Sequence, residues 1–131
     1  MKTFFKPMTI ILLLGMGLSC EDILEVPDIS NETVQLVAPA ENSIVVQTDV
    51  SFSWTEVYEA KSYHVQVATP NFENASQIVM DSIVVVDSTF TSPRITKILT
   101  NNDYEWRIKA INSAYETSFF ANRFVVDTLR N

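Results

Sequence analysis

The residue types that carry most side-chain chemistry are scarce in this sequence. Its 131 residues include one cysteine, Cys20, and one histidine, His64. A lone thiol cannot form an internal disulfide, and zinc or redox sites need a second cysteine or several histidines. We therefore expect no metal site and no cofactor. Three fates remain for Cys20: a free thiol, a disulfide to another chain, or a covalent modification.

The position of Cys20 bears on this choice. The chain starts with two basic residues, Lys2 and Lys6, followed by the uncharged run "MTIILLLGMGL" at residues 8–18. That run is far shorter than the roughly 20 residues of a membrane-spanning helix. A positive start, a short apolar middle and small residues at the end are typical of a secretory signal peptide, here residues 1–19.

The junction "GMGLSC" resembles a bacterial lipoprotein signal, in which the cysteine after the cut becomes the first mature residue and is lipidated. Ser19 supplies the small residue expected before the cut. The resemblance implies a diacylglyceryl group and an N-linked acyl chain, such as palmitate, on Cys20. Since one acyl chain alone holds only marginally, several chains imply a lasting anchor in the membrane.

The two acids that follow Cys20 point to a destination. Glu21 and Asp22 resemble the acidic export signal of Bacteroidetes-type surface lipoproteins. That resemblance implies a location in the cell outer membrane, with the protein facing the exterior. The alternative interpretation of these charges is an ordinary solvated linker.

Removal of residues 1–19 would leave an acidic chain without glycine. Two of the nine basic residues would leave with the signal, so seven would remain against all 16 acids, a formal charge of −9. Binding of phosphates needs clustered lysine and arginine. We therefore expect no nucleic-acid partner, and membrane contact only through the lipid anchor.

The other chemistry-bearing residues form no catalytic pattern. His64 is predicted to point outward from a strand, where a surface role is expected. Glu56 and Glu59 share a loop, but their spacing is also that of a solvated acidic turn rather than of a carboxylate pair for glycoside hydrolysis. A nucleophile, a base and an orienting group are not recognisable together. We predict that the protein is not an enzyme.

The sequence pattern predicts a boundary near residue 33, between a tether and a folded domain. Residues 20–32 hold five acids and Pro27, which predict an acidic tether after the lipidated cysteine, although its apolar residues suggest that part of it packs on the domain. From residue 33 to residue 131 the apolar period is two, which predicts a single domain of β-strands. Two β-rich runs near residues 77–80 and 83–86 have no obvious pairing.

The alternation along three segments is clear enough to predict a core. With no convincing helical stretch, it predicts an immunoglobulin-like antiparallel β-sandwich of about seven strands. The predicted inward residues are Val50, Phe52 and Trp54; Tyr63, Val65 and Val67; Tyr104, Trp106, Ile108 and Ala110; Phe124 and Val126.

Two blocks carry a family resemblance. "FSWTEVYEAKSYHVQVAT" resembles the second and third strands of a fibronectin type III domain, and "LTNNDYEWRIKAIN" is similar to its sixth strand. In the second block Leu99 and Tyr104 match the family's tyrosine corner, which implies a hydrogen bond from the hydroxyl to the upstream backbone. Glu59 stands where the family often has glycine. The resemblance covers about residues 33–127.

Five aromatic residues are predicted in loops or at strand ends, where core packing explains them less easily. We expect Tyr58 and Tyr115 to lie in two loops at the same end of the sandwich, and we take them, with Phe119, as candidate ligand contacts. The alternative is that they cap the core. The five residues are Tyr58, Phe72, Tyr115, Phe119 and Phe120.

Three short patterns of Asp, Ser or Thr and an adjoining residue resemble Bacteroidetes-type O-glycosylation sites, which would place sugars on Ser82, Ser88 and Thr128. Together these features predict an anchored, non-catalytic binding or adhesion module for protein or glycan, with its loops facing outward. The alternative hypothesis is a structural accessory subunit of a larger cell-envelope complex, docked through an exposed sheet edge.

Overall fold

Alternating apolar and polar residues form eight strands in the computed structural model, which describes residues 25–130. Among these residues no helix is long and apolar enough to cross a membrane. The strands are β1 Leu36–Ala38, β2 Ser43–Val45, β3 Asp49–Trp54, β4 Ser62–Thr69, β5 Gln77–Val85, β6 Arg94–Ile98, β7 Asn102–Ile111 and β8 Phe120–Val126.

The strands form two sheets packed face to face. One sheet has the order β1-β3-β6, and the other has the order β2-β8-β7-β4-β5. Every pair is antiparallel except β2 with β8, which run parallel. The predicted all-β sandwich is confirmed, and the short strand β2 adds a parallel edge to it.

The core consists of the residues that the period-two pattern assigns to the inner faces. All of the predicted inward residues are buried. The rings of Phe52 and Trp106 meet edge to face with centroids 5.2 Å apart, and Phe124 stacks on Tyr104 at 5.4 Å. Because the two sheets contribute rings to the same layer, burial of these side chains holds the sheets together.

The two β-rich runs near residues 77–80 and 83–86 belong to one strand, β5. Its register with β4 runs from Ser62 opposite Val85 to Thr69 opposite Gln77, with one irregularity between Val67 and Ala68. This bulge shifts the side-chain alternation within β5 and gives the impression of two runs. The sequence pattern also missed β6, whose residues are mostly exposed and hide the alternation.

The packed part of the chain begins before the expected domain boundary at residue 33. Ile29 is only 2% exposed and belongs to the hydrophobic core, as does Val34. The side chain of Asn112 donates from Nδ2 to the carbonyl oxygen of Pro27 at 2.9 Å. Residues 27–32 therefore lie against the domain and do not extend from it.

The tyrosine corner implied by the family resemblance is present. Tyr104 donates its hydroxyl hydrogen to the carbonyl oxygen of Thr100 at 2.7 Å. Leu99 is buried beside it. This bond ties the β6–β7 connection to the start of β7 without a glycine.

Two turns use a left-handed residue that is not glycine. The amide of Ala60 donates to the carbonyl of Val57, and Glu59 at the third position of this turn has a φ of 71°. Asn42 takes the same position in the turn between Ala40 and Ser43, with a φ of 62°. A positive φ at this position defines a type II turn, where asparagine is tolerated and glutamate is strained.

We predict that replacing Glu59→Gly raises the free energy of unfolding by about 1 kcal/mol, because glycine adopts the left-handed conformation without a Cβ clash. Urea denaturation followed by tryptophan fluorescence measures the change. Glu56→Gly is the matched control, since it removes the same charge at a position without a positive φ. It should be neutral or destabilising, and equal stabilisation by both variants would contradict the strain at Glu59.

Candidate functional site

The outer face of the five-stranded sheet carries a group of charged and aromatic side chains. Strands β4 and β7 are neighbours at its centre, with His64 opposite Lys109 and Gln66 opposite Arg107. Because the inner positions of both strands are buried, these four half-buried side chains emerge on the other face. The register between the two strands therefore brings two cations, an amide and an imidazole together.

Arg107 lies between two phenylalanine rings. Its guanidinium carbon is 4.0 Å from the ring centroid of Phe72 and 4.2 Å from that of Phe119. Its Nε donates to Oε1 of Gln66 at 2.8 Å. Cation–π contact with both rings and the hydrogen bond hold the guanidinium in place. We call Phe72, Arg107 and Phe119 the arginine clamp.

The first ring of the arginine clamp is held by the loop between β4 and β5. The backbone amide of Phe72 donates to Oε1 of Glu105 on β7 at 2.9 Å. The same loop is closed by Asn71, whose Oδ1 accepts from the amide of Asn74 at 2.8 Å. Arg123 on β8 lies 3.8 Å from the other carboxylate oxygen of Glu105. These bonds therefore fix the backbone of Phe72 relative to β7.

The second ring is held by the connection between β7 and β8. Asn112 accepts from the amides of Ala114 and Tyr115 through Oδ1 and so folds the first turn of this loop. Thr117 is buried, accepts from the amide of Ala110 and donates to the carbonyl of Ser118. These bonds return the chain across β7, so Phe119 lies over Arg107.

Two further basic side chains adjoin Phe119. The ammonium of Lys109 is 4.8 Å from its ring centroid and 2.9 Å from Oε1 of Glu116. The ring of His64 is 5.7 Å from that of Phe119. Nε2 of His64 bonds to the carboxylate of Asp81 on β5. This hydrogen bond is the main cause that lowers the pKa of Asp81 below its usual value.

The His64–Asp81 pair has the imidazole and carboxylate of a catalytic triad, but residues 25–130 supply no third group beside it. Among residues 25–130, His64 has no side-chain hydrogen-bond partner except Asp81, so no hydroxyl is positioned for attack. Within the same residues no three His, Cys, Asp or Glu side chains are grouped to hold a metal ion.

The candidate ligand contacts Tyr58, Tyr115 and Phe119 are not brought together as one ring cluster. Tyr58 is 86% exposed in the β3–β4 loop, and Tyr115 is 38% exposed in the β7–β8 loop. Both loops lie at one end of the sandwich, since the amide of Lys61 donates to the carbonyl of Ile111 at 2.8 Å. Phe119 belongs to the arginine clamp on the sheet face.

The N-terminal segment reaches the same end as these two loops. Residues 25–28 line one cavity with Ala114 and Tyr115. Asp28 accepts hydrogen bonds from the hydroxyl and the amide of Ser30, which lower the pKa of its carboxyl group. The chain therefore enters the domain beside the loop that carries Tyr115.

The three glycosylation candidates have different surroundings. Ser82 is half-buried and opposite Val65, so it lies on the inner face of β5. Ser88 is exposed in the β5–β6 connection, and Thr128 is half-buried after β8. The lipidation residue Cys20 and the export residues Glu21 and Asp22 lie outside the described residues.

The sequence places no ring beside Arg107 or Lys109, so it does not predict the arginine clamp. Phe72 and Phe119 were expected in loops, from which no distance to β7 follows. The alternation of Arg107 with buried neighbours was the available signal. Its two rings come from connections before β5 and before β8, and only the folded loops bring them to it.

Comparison with known proteins gives the fold. No protein-family model and no curated protein sequence matches the chain. Among solved structures it is similar to the fibronectin(III)-like modules of CbhA from Clostridium thermocellum, with a TM-score of 0.50 and 11% identity, covering 72% of this chain and 96% of that one. The fold is fibronectin type III-like.

A second solved structure, FN3tt, has a TM-score of 0.49 and 17% identity, covering 73% of this chain and 98% of that one. Sequence identities this low indicate the fold of this chain and do not indicate its ligand. Fold does not imply function. The function must therefore be inferred from the surface of this chain.

The His64–Asp81 bond makes a testable electrostatic prediction. Replacing His64→Leu removes the donor, so the pKa of Asp81 should rise toward its ordinary value of about 3.9. Carboxyl-carbon NMR titration measures it. Thr89→Val is the matched control, because Thr89 lowers the pKa of Asp87 in the same way. It should raise the pKa of Asp87 and leave that of Asp81 unchanged.

The sign of the pH dependence follows from the lowered pKa. The stabilisation from ionised Asp81 is complete above its unfolded-state pKa and is lost as the pH falls through its lower native pKa. His64→Leu should therefore flatten the fall in stability across that acidic window. An unchanged Asp81 titration in this variant would contradict the bond.

Proposed function

We propose that this chain is a lipid-anchored, non-catalytic binding module for a protein or glycan ligand, exposed on the outer membrane. The junction at Cys20 and the following acids Glu21 and Asp22 support the anchor and the export route. The arginine clamp is the observation that carries the binding role. Partial burial of a charged group between two aromatic rings costs desolvation free energy. A ligand that pairs with the charge would offset that cost.

The path of the N-terminal segment indicates how an anchored domain would sit. Five residue steps separate Cys20 from Glu25, and they span at most about 18 Å. The end that carries Tyr58 and Tyr115 would then face the bilayer and would not point away from it. The outer face of the five-stranded sheet lies along the side of the domain. We therefore assign the ligand to the sheet face and depart from the expected outward-facing loops.

Anchoring is tested by metabolic labelling with a palmitate analogue in a host that processes lipoproteins. The wild-type chain should be labelled, and Cys20→Ser should not, because the thiol is the acylated group. Protease added to intact cells should degrade the wild-type domain. A Glu21→Ala/Asp22→Ala variant should be labelled but protected until the cells are lysed. Labelling of the Cys20→Ser variant would rule out the proposed anchor.

Binding is tested with detergent-solubilised full-length protein on a glycan array and by capture from solubilised envelopes. A Phe72→Ala/Phe119→Ala variant should lose at least about tenfold in affinity, because buried aromatic anchors dominate binding energy. The matched control is Tyr58→Ala/Tyr115→Ala, which removes two aromatic residues at the loop end and should bind normally. Loss of binding in the loop pair alone would refute the sheet-face assignment.

A second candidate, a structural accessory subunit, is favoured by the edge strand β5. Its only partner among the described strands is β4, so one side of its backbone is unpaired. Ile83 and Val85 are more than half exposed along it. Such an edge can accept a strand from another protein. Ile83→Lys in the capture experiment distinguishes the two: a partner lost only with this variant is docked at the edge.

A further inference from the structure

We propose that Arg107 is the carboxylate-binding group of the sheet-face site and that its ligand is a glycan containing uronic acid. This inference rests on the proposed binding function and names its ligand class. It depends on the charge, the fixed geometry and the polar surroundings of the arginine clamp.

Arg107 carries a partly desolvated positive charge. Of the lysine and arginine residues in the part of the chain that the structure describes, only Arg107 and Lys109 are half-buried. Lys109 has Glu116 as a partner. Among residues 25–130 no carboxylate oxygen lies within 4.0 Å of the Arg107 guanidinium. Asp81, whose carboxyl pKa is lowered in part by the charge of Arg107, is bonded to His64. A partly desolvated cation without a counter-ion favours an anionic ligand.

The contacts of Arg107 hold its guanidinium in a defined geometry. Phe72 and Phe119 cover its guanidinium, and Gln66 uses its Nε hydrogen. Its two terminal Nη nitrogens have no hydrogen-bond partner within residues 25–130. They form a planar pair of donors that matches the two oxygens of a carboxylate. Because the rings already restrict the side chain, binding would cost little further rotamer entropy.

The surrounding acids limit the charge of the anion. The carboxylates of Asp81, Glu105 and Glu116 each bond to a group of this face: to His64, to the amide of Phe72 and to Lys109, respectively. The mature chain would carry a formal charge of −9. A doubly charged phosphate or a polyphosphate would be repelled, whereas a single carboxylate could reach one guanidinium.

The surface chemistry favours a sugar over a peptide. Backbone groups of β4 and β7 are already paired with their neighbours, so this face offers no backbone ladder to an extended peptide. It offers side-chain donors and acceptors instead, from Gln66, His64 and Asp81. Sugar hydroxyls pair with such groups, and a uronic acid adds the carboxylate that Arg107 requires.

The experiment uses immobilised, detergent-solubilised full-length protein and defined probes. These are short oligosaccharides that carry a single uronic acid, glucuronate or galacturonate, on otherwise neutral sugars, with their methyl esters, neutral maltooligosaccharide and inorganic phosphate as comparisons. At least one uronate series should bind. Its methyl ester should bind at least about tenfold more weakly, as expected when a charged hydrogen bond is lost. Phosphate and the neutral sugar should not bind.

Variants tie that binding to Arg107. Arg107→Gln should abolish it, and Arg107→Lys should weaken it about tenfold because the charge remains but the paired donors do not. Arg94→Gln is the matched control: it removes the same charge from the other sheet and should bind normally. Thermal unfolding checks that all three variants are folded. The Nε–H resonance of Arg107 should shift on titration with the binding uronate.

The outcomes separate this inference from the proposed function. Absence of uronate binding, equal binding of acid and ester, or normal binding by Arg107→Gln overturns the carboxylate assignment. If the glycan array or the capture experiment still gives a ligand that depends on Phe72 and Phe119, the binding function stands. If neither experiment gives a ligand that depends on the sheet face, both fail.

Discussion

The register between β4 and β7 is the constraint on which the rest of the structure depends. It sets Tyr63 opposite Ala110 and Val65 opposite Ile108 in the core, and it sets Gln66 opposite Arg107 on the outer face. A slip by one residue would exchange the two faces. The buried side chains would then meet water and the charged ones would meet the core. Burial of apolar area therefore specifies the polar site, although no polar contact contributes to that driving force.

The arginine clamp shows how loops can complete a site that strands begin. Arg107 belongs to a rigid central strand, whereas Phe72 and Phe119 come from connections. Each connection is tied to β7 by a specific hydrogen bond: the Phe72 amide donates to Glu105, and the Ala110 amide donates to the Thr117 hydroxyl oxygen. Sites built partly on loops lose precision unless such bonds support them. Here the bonds hold the backbone at or near each phenylalanine.

The N-terminal segment changes the functional interpretation of the domain. Burial of Ile29 and the bond from Asn112 to Pro27 attach this segment to the end of the sandwich that carries the β7–β8 loop. In an anchored protein, the short remaining chain would restrict that end more than the sides. Loop tips of β-sandwiches are common ligand sites. In this chain the sheet face and the β5 edge would be less restricted.

The sequence by itself determined the fold class, because alternation with period two is a local property that burial of one face requires. It also determined the inward residues of the regular strands and the tyrosine corner at Tyr104. Two features were beyond it: the single long strand β5 and the exposed strand β6. The sequence also suggested that part of the N-terminal segment packs on the domain, but it did not show where Ile29 makes its contacts. A bulge disguises β5, exposure hides β6, and a lone apolar residue does not reveal its contacts.

Only the tertiary structure decided the site. Phe72 and Phe119 are 47 positions apart in the chain, and nothing local relates either ring to Arg107. Their meeting requires the sheet order, the strand register and two loop conformations at once. These are consequences of packing the whole chain, so no pattern within one segment contains them. The sequence shows which residue types are present, but only the folded protein brings Arg107 and the two phenylalanine rings together.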